Sequence, residues 1–262
     1  MIGVDGELPA TATVAADLPA AFALLATTLP RGWARRFGAA TAVVTMAPAP
    51  TLNGVWVMDE NTRPADVDAA LEAVAATGAP HCVALRPGAL PLVGPIAERR
   101  GMEPLPSIPL MAAARVPEGA ARRGASAAGL TIRRLAPDEL DTHLRIAAPA
   151  FGAPIDVFAA LVTPKLVKQR SARLYVGELD GQPVATAMSL RLGDGLGIFN
   201  VATPESRRRR GYAAALTARA CADGRAAGAE WAWLQSSESG YGCYQRLGFL
   251  TLEWWECWIT AG

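Results

Sequence analysis

The sequence predicts a mixed α/β fold, and three observations carry this prediction. Short apolar runs of strand length alternate with segments that have apolar residues at helical spacing. Glycine-containing pairs that favour tight turns separate several of the predicted strands. The 262 residues are 51% hydrophobic and 19% charged, which is ordinary for a globular protein with a buried core. This length allows one large domain or two small ones.

The domain organisation follows from one stretch of small and polar residues. The segment RVPEGAARRGASAAGL, from Arg115 to Leu130, is rich in glycine and alanine and is the best candidate for a linker. We therefore predict a first domain over 1–115, a linker over 116–130 and a second domain over 131–262.

The second domain is predicted to have the order β-α-α-β-β-β-loop-α-β-α-β. Asp180-Gly181 and Gly193-Asp194-Gly195 provide hairpin turns between three strands in 172–203. Gly228 ends the helix predicted over 211–227. The other elements are a strand over 130–135, a helix over 137–151, a second helix over 157–170 with a break at Pro164, a strand over 230–236, a short helix over 239–247 and a long strand over 249–260.

The first domain repeats the end of this pattern in a weaker form. A strand over 52–60, a helix over 64–78 and a strand over 81–88 precede the segment 94–113. In that segment Gly101-Met102 aligns with Gly248-Phe249 at an offset of 147, and HCVAL aligns with WAWLQ at an offset of 150. These matches indicate a degenerate internal duplication. Chance similarity between two alanine-rich α/β segments is the open alternative.

An arginine run holds the main candidate site. Arg207 to Arg210 lead into Gly211 and an alanine-rich helix, while the formal net charge of the chain is only +1. The N-terminus of a helix exposes unpaired N–H groups and the positive end of the dipole, which together bind phosphate. Gly211 and the small Ala213 let a ligand approach the backbone closely. The patterns GxxxxGK[ST] and GxGxxG are absent, which disfavours a nucleoside triphosphate or a dinucleotide.

Two other roles for the arginine run are open: a solvated charge run and a nucleic-acid contact. The following segment, YAAALTARACADG, adds few basic or aromatic residues, and the near-neutral net charge disfavours nucleic acid. The first residues carry acids where a signal peptide needs basic residues, and no apolar run reaches the roughly 18 residues that span a bilayer. We therefore expect a cytoplasmic protein with no membrane partner.

Two motifs in the second domain resemble those of a known family. Arg208, Gly211 and Ala213 form the pattern R-x-x-G-x-A, which resembles the pyrophosphate-binding signature of the GCN5-related N-acetyltransferase (GNAT) superfamily. Downstream, LQSSESGYGCYQRLGF resembles the family's later motif, with Tyr244 before Leu-Gly-Phe. The resemblance covers roughly 131–260. It implies a GNAT fold, in which a central, mostly antiparallel twisted sheet is flanked by helices, here preceded by a smaller degenerate α/β half.

The resemblance also implies acetyl-CoA as co-substrate and a role for each matched residue. The backbone of Val201, Ala202 and Thr203 would run beside the pantetheine arm, with Val201 and Thr203 pairing with it. Ser237 stands where the family often has an asparagine that contacts the cofactor. Tyr244 would protonate the departing CoA thiolate while an amine attacks the thioester directly. The pyrophosphate would be held by the loop and the first helical turn, which comprise Arg208, Arg209, Arg210, Gly211, Tyr212, Ala213 and Ala214.

The acceptor side is less well defined. Asp194, Glu238, Glu253 and Glu256 border the predicted strands, but none stands out as a general base, and a water chain or a backbone carbonyl would serve. Segment 145–162 should form the acceptor-side loop and helix. It is mostly apolar with a single acid, which favours a small or partly apolar amine over a polycation.

The remaining chemistry-bearing residues are expected to be structural. His81 and His143 are the only histidines, and no two cysteines have CxxC spacing, so we expect no metal site and reduced core thiols. His143 is expected to have a surface or capping role. The tryptophans are expected to pack in the core and on sheet faces; they include Trp231, Trp233, Trp254, Trp255 and Trp258.

One active site is expected, in the second domain. The first domain has Pro64 where the glycine loop should be and Ala97 opposite Tyr244. The leading hypothesis is an acetyl-CoA-dependent N-acetyltransferase that acts on a small-molecule primary amine. The alternative is a non-catalytic acyl-CoA-binding regulatory module, which the missing base favours and Tyr244 opposes. A homodimer is compatible with the sequence, which leaves the oligomeric state open.

Overall fold

A computed structural model describes residues 7–116 and 129–260. It divides the chain into two compact units: unit 1 contains Met1–Asp17 and Met111–Leu252, and unit 2 contains Leu18–Leu110 and Glu253–Gly262. Each unit therefore combines segments from both halves of the chain. Most of the predicted linker, 117–128, lies outside the described residues.

The N-terminal half of the chain contains three helices and five strands among its described residues. In chain order they are α1 (Thr11–Thr27), β1 (Trp33–Phe37), β2 (Ala40–Val44), β3 (Gly54–Val57), α2 (Pro64–Ala75), β4 (Cys82–Leu85), α3 (Leu90–Arg99) and β5 (Met102–Ala113). Helix α1 begins in unit 1 and ends in unit 2, and β5 begins in unit 2 and ends in unit 1.

The described C-terminal half adds five helices and six strands. In chain order they are β6 (Thr131–Arg134), α4 (Leu140–Phe151), α5 (Ile155–Leu161), α6 (Pro164–Val167), β7 (Ala172–Leu179), β8 (Gln182–Leu192), β9 (Gly195–Ala202), α7 (Tyr212–Ala226), β10 (Trp231–Gln235), α8 (Glu238–Arg246) and β11 (Leu250–Thr260). The order matches the prediction, and the expected break at Pro164 separates α5 from α6.

Unit 2 is an α/β layer with strand order β1-β2-β3-β4-β11. Strands β1, β2 and β3 pair antiparallel, whereas β3 and β4 are parallel because α2 crosses between them. The C-terminal part of β11 pairs antiparallel with β4, with Glu256 opposite Leu85. Alternate residues of these strands pack with α2 and α3 in one core, against which Trp258 rests.

Unit 1 has strand order β10-β9-β8-β7-β6. Its strands pair antiparallel except for β9 and β10, which are parallel because α7 crosses between them. Leu196 and Ile198 of β9 pack with α7 and α8 in the core on one face of the sheet, together with Met111 and Ala113 from the end of β5. The mostly antiparallel mixed α/β fold is therefore confirmed.

The two halves of the chain share one order of elements. The sequence β3-α2-β4-α3-β5 corresponds to β9-α7-β10-α8-β11, with a parallel strand pair at the same place in each. This agreement favours the predicted internal duplication over chance similarity. One packing prediction is wrong: the Trp254 side chain is 47% exposed, since its position in β11 faces away from the core that holds Trp255.

Candidate functional site

The two parallel strands of unit 1 part towards their C-terminal ends. Their register runs from Trp231 opposite Gly195 to Trp233 opposite Gly197 and goes no further in the described chain. Strand β9 nevertheless continues to Ala202. Ligands of α/β folds bind outside the carboxyl ends of parallel strands. The parting of β9 and β10 therefore opens the sheet at the end where a ligand is expected.

A β-bulge reshapes β9 at this opening. Thr186 of β8 lies opposite Ala202 and Met188 lies opposite Phe199, so three steps along β9 face two along β8. The extra residue of β9 is at Asn200, whose backbone has a φ of 49°. A bulge interrupts the hydrogen-bond ladder locally and bends the strand. The backbone around Val201 is thereby turned out of the regular pairing with β8.

The arginine run forms the loop between β9 and α7. A short 3-10 turn covers Glu205–Arg207, and Arg209 and Gly211 then adopt left-handed backbone angles, with φ of 64° and 80°. Glycine adopts this conformation without strain, which explains Gly211, while Arg209 stores a small strain. The loop therefore has a defined path that brings the chain directly into α7.

The N-terminus of α7 has unpaired donors. No side chain caps the helix, and its first turn contains no acid. The earliest helical bond runs from the Ala215 amide to the Gly211 carbonyl, so the preceding amides of the first turn are left without an intrahelical acceptor. These amides belong to Tyr212, Ala213 and Ala214. They point out along the positive end of the helix dipole, an arrangement that binds an anion.

The arginine side chains divide into two groups. The Arg208 guanidinium donates to the carbonyl oxygen of Thr203 at 3.3 Å and to that of Ala150, near the end of α4, at 2.9 Å. Within the described chain, the side chains of Arg207, Arg209 and Arg210 make no hydrogen bond or ion pair, and all three residues are exposed. Arg208 thus joins the loop to α4, while the other three supply positive charge around the start of α7.

Two hydroxyl residues flank the opening. The Thr203 hydroxyl is buried and has no hydrogen-bond partner among the described residues, which is uncommon for a buried polar atom and leaves it able to bind a ligand group. Ser237 is the N-cap of α8, where its hydroxyl accepts a hydrogen bond from the Gly240 amide at 3.3 Å. A serine at this position is therefore also explained by helix capping alone.

Tyr244 lies on α8 in the core of unit 1. Its side chain is 9% exposed, and its ring meets that of Phe249 edge to face at 5.9 Å between centroids. Among the described residues its hydroxyl has no hydrogen-bond partner. Burial, with smaller contributions from the thiols of Cys243 and Cys221, raises the Tyr244 pKa well above its usual value. The phenol therefore remains protonated and can donate a proton or a hydrogen bond.

His143 is fully buried, so its predicted surface or capping role is wrong. Its Nδ1 lies 2.7 Å from the Thr186 hydroxyl, which itself donates to the Tyr175 carbonyl at 2.8 Å. Since the single hydroxyl proton is used on that carbonyl, Nδ1 must carry the hydrogen and Nε2 the lone pair. Nε2 has no partner among the described residues. Burial lowers the His143 pKa to about 4, so the ring is neutral at neutral pH.

The sequence contained a signal for this burial. His143, Ile146 and Ala147 lie on one face of α4 at the spacing i, i+3, i+4, and all three are buried. These residues contact the face of the unit 1 sheet that is opposite α7. Thr186, the partner of His143, points to that face, because its two neighbours along β8 pack in the core on the α7 side. Helix α4 therefore covers the second face of the unit 1 sheet.

None of the carboxylates considered as a base has a free, buried position at this opening. Asp194 and Glu238 are exposed. Glu253 and Glu256 belong to unit 2, and both already have partners. Glu253 accepts from the Arg86 guanidinium at 2.8 Å, and Glu256 accepts from a serine hydroxyl at the same distance.

The corresponding helix start in unit 2 has different chemistry. Pro64 is the first residue of α2 and has no N–H, and Asp66 places a carboxylate in the first turn. Asp66 pairs with Arg63 at 2.6 Å, so an internal acid already neutralises the positive end of the dipole. This helix start therefore lacks the free donors that α7 presents.

Metal-ligand clusters and membrane-spanning helices are both absent from the described residues. No group of three or more His, Cys, Asp or Glu side chains there is arranged to hold a metal ion. No described helix combines the length and apolar character needed to cross a membrane. The four cysteines are free thiols; three are buried and Cys243 is half-buried.

Comparisons with known proteins agree with this geometry. Residues 142–249 match the model of the acetyltransferase (GNAT) family. A GCN5-related N-acetyltransferase from Kribbella flavida has a similar structure, with a TM-score of 0.70 and 22% identity over 97% of each chain. A second from Sphaerobacter thermophilus has a TM-score of 0.61 and 18% identity over 85% of this chain and 76% of its own.

The structural similarities extend over both halves of the chain, although no curated protein sequence matches it. At these identities the solved structures establish the fold alone, and the family model matches less than half of the chain. The matched residues run from α4 to the start of the last strand and contain the arginine loop and Tyr244. The second half of this chain is therefore similar to GNAT-family acetyltransferase domains over residues 142–249.

Proposed function

We propose that this protein is an acetyl-CoA-dependent N-acetyltransferase with a single active site in unit 1. The observation that carries the proposal is the uncapped start of α7, with its free amides, directly beside the point where β9 and β10 part. Acetyl-CoA combines a pyrophosphate with an extended arm that contains two amide groups. A helix N-terminus suits the first group, and an unpaired strand edge suits the second.

The residues fit these two parts of acetyl-CoA. The Arg208 amide already donates to the Glu205 carbonyl at 3.2 Å, so the amides from Arg209 to Ala214 would hold the pyrophosphate. Arg207, Arg209 and Arg210 would add charge. The backbone of Val201 and Thr203, freed by the bulge, would pair with the arm. The unpaired Thr203 hydroxyl offers one more hydrogen bond, and Ser237 would contact the cofactor from the start of α8.

When bound, acetyl-CoA supplies an acetyl thioester. The acceptor amine attacks the carbonyl carbon, a C–N bond forms and the C–S bond breaks. Tyr244 donates its phenolic proton to the departing sulfur, and the amine loses one proton to solvent through water. Tyr244 is protonated over the whole physiological range of pH, as a proton donor must be, and the burial that raises its pKa also makes it a weaker acid than an exposed tyrosine.

Neutral His143 is not the base of this reaction. With a pKa of about 4, its imidazole would hold a proton only weakly at neutral pH. Water or a backbone carbonyl near the opening is left to take the proton, and the amine must reach the site in its neutral form. The rate is therefore expected to rise with pH until the acceptor itself is deprotonated.

Thiol release from acetyl-CoA tests the proposal. A panel of primary amines is incubated with the protein, free CoA thiol is measured, and mass spectrometry identifies the acetylated amine. Acetyl-CoA binding by calorimetry without thiol release for any amine would instead support the non-catalytic acyl-CoA-binding module. Absence of both binding and release would overturn the assignment of α7 as the cofactor site.

A further inference from the structure

A cleft lies at the end of unit 1 that is opposite the proposed cofactor site. Its volume is about 260 Å³, and it is lined by the chain at the end of β5, the last turns of α7 and the start of β10. Leu196, near the start of β9, also lines it. All of these residues belong to unit 1. We call this cavity the lower cleft.

The lower cleft is separate from the site at the start of α7. Helix α7 has 15 residues, and at about 1.5 Å per residue its two ends are roughly 20 Å apart. The arginine loop precedes the first turn of α7, whereas Arg225 and Ala226 line the lower cleft from the last turn. The lower cleft also lies at the N-terminal ends of β9 and β10, while the proposed acetyl-CoA site lies where these strands part at their C-terminal ends. A ligand in the lower cleft would therefore leave the proposed cofactor site free.

The floor of the lower cleft is apolar. Leu196, Cys221 and Ala232 line it, and all three are buried in the core of unit 1. Ala222 and Ala226 line it from the exposed face of α7, where their small side chains leave space that a larger residue would fill. Burial raises the pKa of the Cys221 thiol to about 12, so this side chain is uncharged and behaves as a small apolar group. The floor therefore suits a compact apolar group.

Charged side chains of both signs lie at the mouth of the lower cleft. Arg115, Arg225 and Glu230 line it and are exposed, and their side chains make no hydrogen bond or ion pair with other described residues. The two arginines come from different elements, the chain after β5 and the last turn of α7. Guanidinium groups suit a carboxylate. The Glu230 carboxylate and the negative end of the α7 dipole together suit an ammonium group.

The size of the lower cleft limits the ligand to a small molecule. A volume of about 260 Å³ is just below the roughly 300–1,000 Å³ of pockets that hold drug-sized ligands. A simple carboxylic acid with an apolar body would use the two arginines and leave Glu230 without a partner. An amino acid in its zwitterionic form would use all three charged side chains as well as the apolar floor.

We propose that the lower cleft binds a free α-amino acid with an aliphatic side chain. Arg115 and Arg225 bind its carboxylate, and Glu230 binds its ammonium group. Its side chain packs against Leu196 and Cys221. This binding site goes beyond the proposed acetyl transfer and does not depend on it.

Calorimetry with L-valine and L-leucine tests the proposal, on the free protein and on the protein saturated with CoA, which allows no acetyl transfer. Saturable binding of at least one amino acid is expected, with the same Kd in both states because the two sites are at opposite ends of α7. The acid 3-methylbutanoate lacks the amine and is expected to bind at least about tenfold more weakly than L-leucine or L-valine. Absence of saturable binding of both amino acids overturns the proposal. Equal affinity for 3-methylbutanoate overturns the assignment to an amino acid, and binding that CoA abolishes places the ligand in the cofactor site instead.

Variants of the lower cleft test its location. Ala226→Leu fills the cleft with a residue that favours helix, so the protein is expected to fold and to lose measurable amino-acid binding. Arg225→Gln and Glu230→Gln are each expected to weaken binding by at least about fivefold. Ala69→Leu, at an exposed alanine of α2 in unit 2, is the matched control for added volume. Arg170→Gln, at an exposed arginine of unit 1 outside the cleft, is the matched control for lost charge. Both controls are expected to bind like the wild type.

The same variants separate this proposal from the proposed function. Loss of amino-acid binding in Ala226→Leu with an unchanged acetyl-CoA Kd supports the lower cleft, and it does so even if no amine is ever acetylated. Wild-type amino-acid affinity in Ala226→Leu would show that the amino acid binds elsewhere, as an acetyl acceptor would, and would overturn the proposal. Equal weakening in Arg225→Gln and Arg170→Gln would overturn it as well, because the effect would then be one of overall charge.

Discussion

Arg208 is expected to affect acetyl-CoA binding through the shape of its loop more than through its charge. Arg208→Ala removes the two hydrogen bonds that join the loop to the carbonyl oxygens of Thr203 and Ala150. Arg210→Ala removes the same charge from the same loop, but within the described chain it removes no hydrogen bond. Comparing the two variants therefore separates the structural effect from the electrostatic one.

The expected magnitude follows from the two contacts. A hydrogen bond from a charged donor contributes about 1.5–3 kcal/mol when buried, but Arg208 is exposed and its contact with Thr203 is long at 3.3 Å. We expect a combined loss of about 1–2 kcal/mol, which weakens acetyl-CoA binding by about 5- to 30-fold. Removing one exposed charge costs about 0.2–1 kcal/mol, so Arg210→Ala should weaken binding by no more than about fivefold.

Calorimetric titration of acetyl-CoA at about 0.05 M and 0.5 M salt distinguishes the two effects, since salt screens exposed charges. The ratio of the Arg208→Ala Kd to the wild-type Kd should persist at high salt, and that of Arg210→Ala should approach one. Arg208→Lys should resemble the alanine variant, because an ammonium cannot bridge both carbonyls as the guanidinium fork does. Equal losses in both alanine variants, both fading with salt, would refute this reasoning.

Three further predictions concern the proposed catalytic acid, the buried histidine and the N-terminal segments that belong to unit 1. Tyr244→Phe should lower kcat by about 10²-fold with an unchanged acetyl-CoA Kd, and the wild-type pH profile should show no alkaline limb from Tyr244 below pH 10. Burial holds the His143 pKa near 4 in the folded protein against 6.5 in the unfolded chain, so the wild type should lose about 3 kcal/mol of unfolding free energy as pH falls from 6.5 to 4. His143→Asn keeps a donor for Thr186 and cannot titrate in this range, so this variant should lose much less stability over the same fall in pH. A 126–262 fragment contains every proposed acetyl-CoA contact but lacks two parts of unit 1, the end of β5 and Asp17, whose carboxylate accepts from the Trp231 indole at 3.1 Å. The fragment should therefore unfold at a lower temperature than unit 1 in the full chain.

Each of these has a contrary outcome. Wild-type kcat across pH in Tyr244→Phe would leave the tyrosine as a packing residue and favour the non-catalytic alternative. Parallel pH–stability curves for the wild type and His143→Asn, from chemical denaturation, would show that His143 is not held neutral. A fragment as stable to heat as the full chain would show that Asp17 and the end of β5 do not stabilise unit 1.

The features predicted well from the sequence are those whose signals are local. The turn at Asp180-Gly181, the break at Pro164 and the start of α7 after Gly211 each depend on backbone preferences of one or two residues. The arginine loop could be placed between a strand and a helix for the same reason. Its role could then be argued from the general chemistry of helix N-termini.

The features that the sequence does not indicate depend on residues that are distant along the chain. The pairing of β11 with β4 has no local signature, because the two strands are separated by more than half of the chain. The contact of Arg208 with Ala150 and the bulge at Asn200 likewise require the three-dimensional structure. The burial of His143 is different, since the apolar spacing along its helix already indicated a buried face.

Acetyl-CoA affinity of a Gly211→Val variant tests the central claim, that the start of α7 is the cofactor site. Valine at a φ of 80° strains the backbone by about 1–3 kcal/mol and puts a branched side chain where the pyrophosphate would lie. Gly181→Val is the control, because Gly181 has a φ of 73° in a hairpin turn with nothing near its missing Cβ. Calorimetry should show that Gly211→Val loses measurable binding while Gly181→Val binds like the wild type. Wild-type affinity in a folded Gly211→Val protein would contradict the account.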